Sequence, residues 1–318
     1  MELTEDALLE AIRRVLSGAG PEVRVGVGDD AAVLVPTGGD LVVTTDTLVE
    51  GVHFIRGPAE ARDLGYKAIV VNVSDIAAMG GSPRAAVCAL TLPPGVESGW
   101  VMELFGGMRE ACDEYALWLV GGDLSRGRDA SIAVTVTGEV APGKAVLRSG
   151  ARPGDRVVVT GELGGSAAGL RLTRMRTMPT AKQIALVRRH LRPTARVGEG
   201  GVLARLGATA MMDVSDGLAI DLSRLVGASD ASACIAIEKV PVAEGATIED
   251  ALGGGEDYEL LATLSDATAV EAARIELKES FGVALTEIGR IVEGSGLTAI
   301  EGDGTERPLD PTGWDHFR

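Results

Sequence analysis

The chain has 318 residues, a formal net charge of −16 and a hydrophobic fraction of 46%. This length exceeds one ordinary core and predicts two domains of roughly 150 residues each. The acidic balance argues against a nucleic-acid partner, because binding to a phosphate backbone requires a basic face. No apolar run approaches the roughly 18 residues that a membrane span needs, so we also expect no membrane partner.

The N-terminal sequence and the cysteines predict a cytoplasmic protein. The first residues, MELTEDALLEAIRRVL, are acidic and amphipathic and lack the apolar core of a signal peptide, so they predict a helix over about residues 4–17. The three cysteines, Cys88, Cys112 and Cys234, lie in apolar surroundings without metal-binding spacing. We therefore expect reduced thiols in the core.

The first half of the chain alternates strand-like and helical segments. Strands are predicted in residues 22–36 on either side of a GDD turn, and in 40–49, 84–93, 117–123 and 131–140. Helices are predicted in residues 60–79 and 97–115. This pattern places Asp30 and Asp46 at strand ends and Asp75 near a helix end, and it predicts an α+β domain over residues 1–140.

A domain boundary is predicted in residues 141–155, APGKAVLRSGARPGD, which lack periodicity and contain Pro142 and Pro153. Beyond it, residues 150–318 predict a second α+β domain. Its predicted strands are 156–160, 209–215, 233–240, 257–264 and 285–294, and its predicted helices are 164–175, 181–191, 216–226 and 266–281. Ser215 is the expected N-cap of the third helix.

Five short acidic motifs carry the candidate chemistry. They are GDD at 28–30, TTD at 44–46, NVSD at 72–75, GGD at 121–123 and DVSDGL at 213–218. Taken singly, an Asp in a turn is more often a turn former or a cap. Taken together, oxygen ligands from Asp and hydroxyl groups indicate a Mg²⁺ site, because this ion typically bridges carboxylates to substrate phosphates.

Two nucleotide-binding motifs are matched in spacing but not in context. GEVAPGKA, residues 138–145, has Ala145 where a P-loop needs Ser or Thr, and Pro153 follows where a helix should run. GVGDDA, residues 26–31, leads into a strand and leaves no helix N-terminus for a pyrophosphate. Neither classical nucleotide-binding fold is therefore predicted.

Three further candidate residues have an ordinary structural explanation beside the functional one. A single histidine such as His53 is more often packed or solvated than a ligand, and Arg148 in a loop is most often only exposed. Glu256 follows three glycines in GGGEDYEL. This composition fits close approach of the backbone to a ligand, and it equally fits a flexible turn before a strand.

The motifs, in this order and spacing, resemble the thiamine-monophosphate kinase family of the PurM-like ATP-binding superfamily. The matching strings are GDDAAVL, TTDTLVEGVHF, KAIVVNVSDIAAMGG, GGDLSRG, RSGARPGD, DVSDGL and GGGEDYEL. The resemblance extends over essentially the whole chain, as far as the terminal GWDHF. It implies a two-domain fold with ATP between the domains, and direct transfer of the γ-phosphoryl group of ATP to thiamine monophosphate.

The resemblance also implies residue roles. Catalytic roles fall on Asp30, Asp75 and Asp213. The implied Mg²⁺ ligands are Asp30, Thr44, Thr45, Asp46, Asp75, Asp123, Asp213 and Asp216. The implied ATP contacts are Gly122, Asp123, Arg148 and Ser215, and the implied acceptor contacts are His53, Glu256 and Trp314. The acceptor phosphate is already anionic near neutral pH, so alignment and charge neutralisation matter more than a strong general base.

The sequence departs from the family pattern at three positions. Leu124 replaces a common Thr, Ala195 interrupts the usual HLRPTPR string, and Trp314 replaces a Tyr. The first two leave the neighbouring ligands in place. Trp314 keeps an aromatic face and loses the hydroxyl group, so its detailed contact differs from that of a tyrosine.

The family resemblance further implies a homodimer in which strands of the N-terminal domains close a barrel across a two-fold axis. The candidate segments are residues 31–35, 41–47, 85–92 and 131–140. Two other functions stay open at this stage. One is another ATP-dependent enzyme of the superfamily with a different small acceptor, and the other is a non-catalytic module that binds Mg²⁺-nucleotide or Ca²⁺.

Overall fold

The structure is a computed structural model, and it describes residues 5–16, 20–25, 32–36, 38–56, 61–174 and 180–314. The chain divides into two compact units, Met1–Ile76 with Gly81–Gly143, and Ala77–Gly80 with Lys144–Arg318. None of the helices in these described ranges has the length and apolar character required to cross a membrane.

The first unit combines helices with a four-stranded sheet. Its helices are α1 Glu5–Val15, α2 Ala61–Ala78, whose last two residues belong to the second unit, and α3 Ser98–Glu114. Its strands are β1 Val23–Val25, β2 Val33–Leu34, β3 Asp40–Val49, β4 Ser82–Leu92, β5 Trp118–Arg126 and β6 Ser131–Val140. β1 pairs with β2, and the larger sheet has the order β3-β6-β4-β5.

The larger sheet has one buried and one exposed face. Along β6, Ile132, Val134 and Val136 are fully buried, whereas the residues between them are partly exposed. On the other face, Leu41 of β3 is 70% exposed and Val43 is 57% exposed. In the described part of this one chain the sheet is open, and it does not close into a barrel.

Two motifs, TTD at 44–46 and GGD at 121–123, lie inside strands and not at their ends, which corrects the expectation from the sequence. β3 continues for three residues beyond Asp46, because Thr47, Leu48 and Val49 keep pairing with β6. β5 likewise continues beyond Asp123 to Arg126, paired in parallel with β4. The predicted segment 40–49 has the bounds of β3, so only the position of Asp46 within it was wrong. The end of β5 was predicted three residues too early, because it depends on the pairing with β4, which the local sequence does not show.

The second unit is a seven-stranded sheet with helices on both faces. Its helices are α4 Gly165–Thr173, α5 Ala181–Leu191, α6 Val197–Arg205, α7 Leu218–Ala228, α8 Ile248–Gly253 and α9 Ala267–Phe281. Its strands are β7 Arg156–Thr160, β8 Ala210–Asp213, β9 Ser232–Ala236, β10 Leu260–Leu264, β11 Leu285–Val292, β12 Gly296–Ile300 and β13 Glu306–Pro308. The strand order is β13-β12-β9-β11-β7-β10-β8.

Alternate residues of the interior strand β7 contribute to two separate cores. Val157 and Val159 pack in a cluster that includes Leu222 of α7. Val158 packs in the other cluster, which includes Leu203 of α6 and Leu277 of α9. Because side chains alternate along a strand, the run of three valines in β7 belongs to a sheet that is covered on both faces.

The helix after DVSDGL begins later than the sequence predicts. α7 starts at Leu218, and its N-cap is Gly217, with a φ of 126° and no side-chain cap. Ser215 is therefore not the N-cap, which corrects that expectation. The reason is a carboxylate inside the helix, Asp221, which takes over the hydrogen bonds of the preceding loop.

Candidate active site

The DVSDGL motif forms a loop at the end of a buried strand of the second unit. Asp213 is the last residue of β8, is only 2% exposed and pairs with Leu260 of β10. The chain then leaves the sheet, and Ser215 and Asp216 lie in the turn that leads into α7. The motif therefore places one buried and one partly exposed carboxylate on either side of a serine.

Asp221 holds this loop in shape. Its Oδ2 atom accepts hydrogen bonds from the backbone N–H groups of Ser215 at 3.1 Å, Asp216 at 2.9 Å and Gly217 at 3.1 Å. The side chain is fully buried. Asp221 lies outside the acidic motifs, although an acid in the first turn of a helix is a common sign of such an interaction.

Arg224 links the two acids of this turn. Its Nη1 group donates to Asp216 Oδ2 at 2.5 Å and to Asp221 Oδ1 at 2.7 Å. Burial raises the pKa of Asp221 to about 6, and the backbone N–H of Asp216 acts against that rise. The charge and the hydrogen bond of the Arg224 guanidinium group also act against this rise.

The GGGEDYEL segment continues the pairing of β10 with β8 up to the DVSDGL loop. The N–H of Glu256 donates to the carbonyl of Ser215 at 2.7 Å, and the N–H of Tyr258 donates to the carbonyl of Val214 at 2.9 Å. A Cβ atom on Gly255 would lie 2.6 Å from the Ser215 carbonyl oxygen. Gly255 thus permits close approach to the chain's own backbone. From the sequence, the three glycines were expected either to permit close approach to a ligand or to form a flexible turn.

Two non-glycine residues of this segment have left-handed backbone conformations. The φ angles are 69° at Glu256 and 54° at Tyr258. Such conformations are costly for side-chain-bearing residues and are found most often at ligand and active sites. The segment is therefore a candidate binding element in its own right.

Trp314 joins the same loop from the C-terminal end of the chain. Its backbone N–H donates to the carbonyl of Asp216 at 3.0 Å, and the residue is 48% exposed. The carbonyl groups of two successive residues, Ser215 and Asp216, thus accept hydrogen bonds from Glu256 and Trp314. Four residues singled out in three distant parts of the sequence are joined through backbone contacts.

His190, which was not among the predicted site residues, lies against Glu256. The Nδ1 atom of His190, near the end of α5, is 3.1 Å from Glu256 Oε2 and 3.1 Å from Ser166 Oγ. The neighbouring acid, Asp257, accepts hydrogen bonds from the N–H groups of Gly164 and Ser166 at the start of α4. Burial raises the pKa of Asp257 to about 7 against these two hydrogen bonds.

The TTD and NVSD motifs meet in the first unit. The hydroxyl group of Thr44 donates to Asp75 Oδ2 at 2.5 Å, which joins the middle of β3 to the last turn of α2. Side chains alternate along β3, so Asp46 projects from the same face as Thr44. A hydroxyl group and two carboxylates are thus directed to the side of the sheet that carries α2.

Thr45 projects from the opposite face of β3. Its hydroxyl group donates to the carbonyl of Val134 at 3.1 Å and accepts from Thr135 Oγ1 at 3.0 Å. His53 lies on the turn after β3, where its Nδ1 atom accepts from the N–H of Val49 at 2.9 Å. This contact fixes the ring and places the proton of a neutral His53 on Nε2.

The GGD motif lies on β5. A Cβ atom on Gly122 would lie 2.0 Å from the carbonyl oxygen of Cys88, so strand packing alone requires a glycine there. Asp123 is exposed and accepts a hydrogen bond from Ser125 Oγ at 2.6 Å. The structure therefore accounts for Gly122 without a ligand, and it leaves the carboxylate of Asp123 at the surface of this unit.

Arg148 lies in the second unit, on a loop that is anchored through its backbone. Ser229 Oγ donates to the carbonyl of Arg148 and accepts from the N–H groups of Gly150 and Ala151, each at 3.2 Å. The side chain of Arg148 is exposed. No helix follows GEVAPGKA across residues 141–150, which confirms that this sequence is not a P-loop.

The oxygen donors fit Mg²⁺ in kind. Thr44, Asp75 and Asp46 in the first unit and Asp213 and Asp216 in the second offer hydroxyl and carboxylate oxygens, which are the ligands this ion prefers. In the described ranges no three His, Cys, Asp or Glu side chains are grouped so as to hold a metal ion. Asp30 and the rest of the GDD motif, like GVGDDA, lie outside those ranges.

Comparison with known proteins identifies the class and then the family. The family model of the AIR synthase related protein, N-terminal domain, matches residues 28–140, and that of the C-terminal domain matches residues 152–301. The chain is similar to the thiamine-monophosphate kinase of Escherichia coli (strain K12), with 39% identity over 93% of each chain. It is also similar to that of Aquifex aeolicus (strain VF5), with 38% identity over 99% of each chain.

Solved structures agree with this result. The crystal structure of thiamine-monophosphate kinase from Stenotrophomonas maltophilia K279a has a TM-score of 0.83 and 38% identity, over 96% of this chain and 98% of that one. AaThiL complexed with AMPPCP and TMP has a TM-score of 0.78 and 38% identity, over 100% of this chain and 99% of that one. The molecule is thus a two-domain, mixed α/β protein of the AIR synthase related, PurM-like class.

Within that class the relatives decide the family, because two of them are more than 30% identical over almost the full length of both chains. This chain belongs to the thiamine-monophosphate kinase family. The resemblance inferred from the sequence motifs is confirmed.

Proposed function

We propose that this chain transfers the γ-phosphoryl group of ATP directly to thiamine monophosphate, giving thiamine diphosphate and ADP. Relatives named thiamine-monophosphate kinase, and the AaThiL complex with AMPPCP and TMP, support this function. The structural observation that supports this function most is the loop at Ser215 and Asp216. The carbonyl groups of these residues accept hydrogen bonds from the backbone N–H groups of Glu256 and Trp314. Residues proposed to bind ATP and Mg²⁺ are thereby in direct contact with residues proposed to bind the acceptor.

The chemistry requires positioning and charge neutralisation more than proton transfer. Thiamine monophosphate carries its nucleophile as an anionic phosphate oxygen, so no side chain has to act as a strong base. When bound, Mg²⁺ would neutralise charge on the phosphates. The proposed ligands are Asp30, Thr44, Asp46, Asp75, Asp123, Asp213 and Asp216. We leave Thr45 out of this set, since its hydroxyl group lies on the opposite face from Thr44 and bonds to Val134 and Thr135.

The remaining proposed roles concern the two substrates. We propose that Arg148, with Gly122 and Ser215, contacts ATP. His53 would contact the phosphate of the acceptor, and Glu256 would balance its thiazolium charge. Trp314, which is 48% exposed, would offer an aromatic face to the rings of the acceptor.

Substitutions of two basic residues, Lys144 and Arg148, distinguish this proposal from a P-loop mechanism. Arg148→Ala is expected to raise KM for ATP and to lower kcat/KM for ATP by about tenfold or more, because a charged contact to the triphosphate is lost. Lys144→Ala, on an exposed residue with no following helix, is expected to stay within about twofold of wild type. Steady-state kinetics with ATP varied measures both, and a severe loss in Lys144→Ala with a mild one in Arg148→Ala would reverse the assignment.

The acceptor residues have a different expected signature. Glu256→Gln and Trp314→Ala are each expected to raise KM for thiamine monophosphate by about tenfold, with little change in KM for ATP, because each removes binding to one substrate only. Kinetics with each substrate varied in turn provides the measurement. If KM changes for ATP alone, or for neither substrate, the acceptor binds elsewhere.

We also propose that two copies pair through the exposed face of the β3-β6-β4-β5 sheet and close a barrel. Leu41, Val43 and Val87 are 70%, 57% and 39% exposed on this face, which is unusual for large apolar side chains on one sheet. Val43→Asp is expected to convert a dimer into a monomer, since it places a charge in the interface. Light scattering after gel filtration gives the molar mass, and an unchanged dimer in the variant would exclude this face.

A further inference from the structure

His190 has a specific relation to the proposed acceptor residue Glu256. It lies in the last turn of α5, and its side chain is 9% exposed, against 26% for that of Glu256. Its Nδ1 atom lies 3.1 Å from Glu256 Oε2. In the sequence it is the first residue of HLRPTAR, the string that Ala195 interrupts, and it follows two arginines on an amphipathic helix, so it was not named as a candidate.

The chemistry of the two groups determines which of them donates the hydrogen bond. An ionised carboxylate can only accept, so the proton must lie on Nδ1 of His190 for the contact to be attractive. Ser166 Oγ, also 3.1 Å from the same nitrogen, then serves as a second acceptor. The imidazole therefore donates to one oxygen of Glu256 from a buried position.

The same geometry excludes a Ser-His-Glu proton relay. A relay needs the serine and the acid on different ring nitrogens, whereas Ser166 and Glu256 both contact Nδ1. Ser166 is also only 1% exposed, so its hydroxyl group is closed to a substrate. The cluster serves to orient a side chain and does not supply a nucleophile.

The position and the side-chain freedom of Glu256 give a role to a contact that orients its carboxylate. Glu256 precedes β10 with a φ of 69° and contacts His190 of α5, while the next residue, Asp257, is held by the N–H groups at the start of α4. A glutamate has three side-chain torsions, and a single oriented carboxylate loses less entropy on binding a cation than a mobile one. A donor at Nδ1 supplies that orientation.

We infer that His190 is a positioning residue that holds the Glu256 carboxylate in the orientation that binds the cationic ring of the acceptor. This inference rests on the proposed function of the chain. It concerns acceptor affinity and leaves the nucleotide and the phosphoryl transfer unaffected.

Two substitutions separate the Nδ1 contact from the rest of the side chain. The amide group of Asn can occupy the place of Nδ1, whereas the longer Gln reaches the place of Nε2 and leaves Nδ1 empty. His190→Gln is expected to raise KM for thiamine monophosphate by about tenfold with KM for ATP and kcat unchanged, as for loss of a hydrogen bond to a charged group. His190→Asn is expected to remain within about threefold of wild type. Arg188→Gln, on an exposed residue of the same helix, is the matched control.

A double-mutant cycle with Glu256→Gln completes the test. If His190 acts through Glu256, His190→Gln should add little to the KM of the Glu256→Gln variant. Additive effects, a wild-type KM in His190→Gln, or equal losses in His190→Gln and His190→Asn would overturn the inference while leaving the proposed function standing. A Glu256→Gln variant with unchanged KM would instead refute the proposed role of Glu256, and with it the basis of the inference.

A spectroscopic measurement covers the case in which a His190 variant does not fold. In wild-type protein labelled with ¹⁵N-histidine, the Nδ1 signal of His190 is expected to be that of a protonated nitrogen. It should shift on addition of thiamine monophosphate and not on addition of a non-hydrolysable ATP analogue. An unprotonated Nδ1, or no response to thiamine monophosphate, would contradict the positioning role.

Discussion

Asp213→Asn is expected to lower kcat by roughly two to three orders of magnitude, with the fold retained. Asp213 is 2% exposed at the end of β8 and is a proposed Mg²⁺ ligand. The amide has the same shape and lacks the negative charge, so the variant loses charge neutralisation at the phosphates while β8 keeps its pairing with β10. Initial rates at saturating ATP and thiamine monophosphate give kcat, and thermal unfolding checks the fold.

A matched variant controls for the general effect of losing one carboxylate. Asp303 lies in an exposed turn between β12 and β13 and has no place in the motifs, so Asp303→Asn should keep full activity. Turnover near the wild-type level in Asp213→Asn would reject the role of Asp213. A loss of activity that is accompanied by unfolding would require a milder variant, Asp213→Glu, for which the same large drop in kcat is expected.

Asp221→Ala is expected to destabilise the protein by about 3 kcal/mol or more, because it removes the shared acceptor of three backbone N–H groups from a buried position. The affected groups belong to Ser215, Asp216 and Gly217. The loop that carries them also carries the contacts to Glu256 and Trp314, so KM for both substrates should rise. Denaturant unfolding measures the first effect, and steady-state kinetics measures the second.

Asp221→Asn separates the hydrogen bonds from the charge. The Asn oxygen can still accept from the loop, so this variant should lose less stability than Asp221→Ala. Burial raises the pKa of Asp221 to about 6 from an ordinary value of 3.8. The folded protein therefore binds an extra proton between these values, and this carboxyl contributes less stability as pH rises from about 4 to 6.

The stability difference between wild type and Asp221→Asn should accordingly shrink over that interval. Unfolding in denaturant at several pH values would show it. A difference that grows with pH would mean that the carboxylate is better stabilised than its burial indicates.

Local patterns in the sequence predicted several elements well. Strand β6, Ser131–Val140, coincides with the predicted segment because β-branched apolar residues recur at alternate positions along most of it. Helix α5, Ala181–Leu191, also has the predicted bounds, and Thr180 and Gln183 form a capping box at its start. Such elements are specified by residues that are close together in the chain.

Other elements were missed or misplaced because their cause lies elsewhere in the chain. α6, Val197–Arg205, was not predicted, since its glycines weaken the helical pattern and tertiary packing stabilises it. Asp123 was placed at a strand end, because the extent of β5 depends on its partner β4. Short edge strands such as β13 have too few residues to give a pattern.

The candidate site shows the same division. The motifs pointed to Asp213, Asp216 and Glu256, and the family resemblance added Ser215 and Trp314. Their joining depends on the pairing of β8 with β10 and on the return of the C-terminal segment to Asp216. His190 and Asp221 act on residues that are 66 and 4–6 positions away, and neither belongs to the acidic motifs. A residue that positions another has no chemical signature of its own in the sequence.

The proposed function is tested most directly by one assay with ATP, Mg²⁺ and thiamine monophosphate, in which ADP and thiamine diphosphate are measured together. We predict that the two products form in equal amounts, that a chelator stops both, and that other small acceptors do not replace thiamine monophosphate. Release of ADP with a different acceptor would indicate another reaction of the superfamily. Binding of Mg²⁺ and ATP without formation of thiamine diphosphate would contradict the assignment as a kinase.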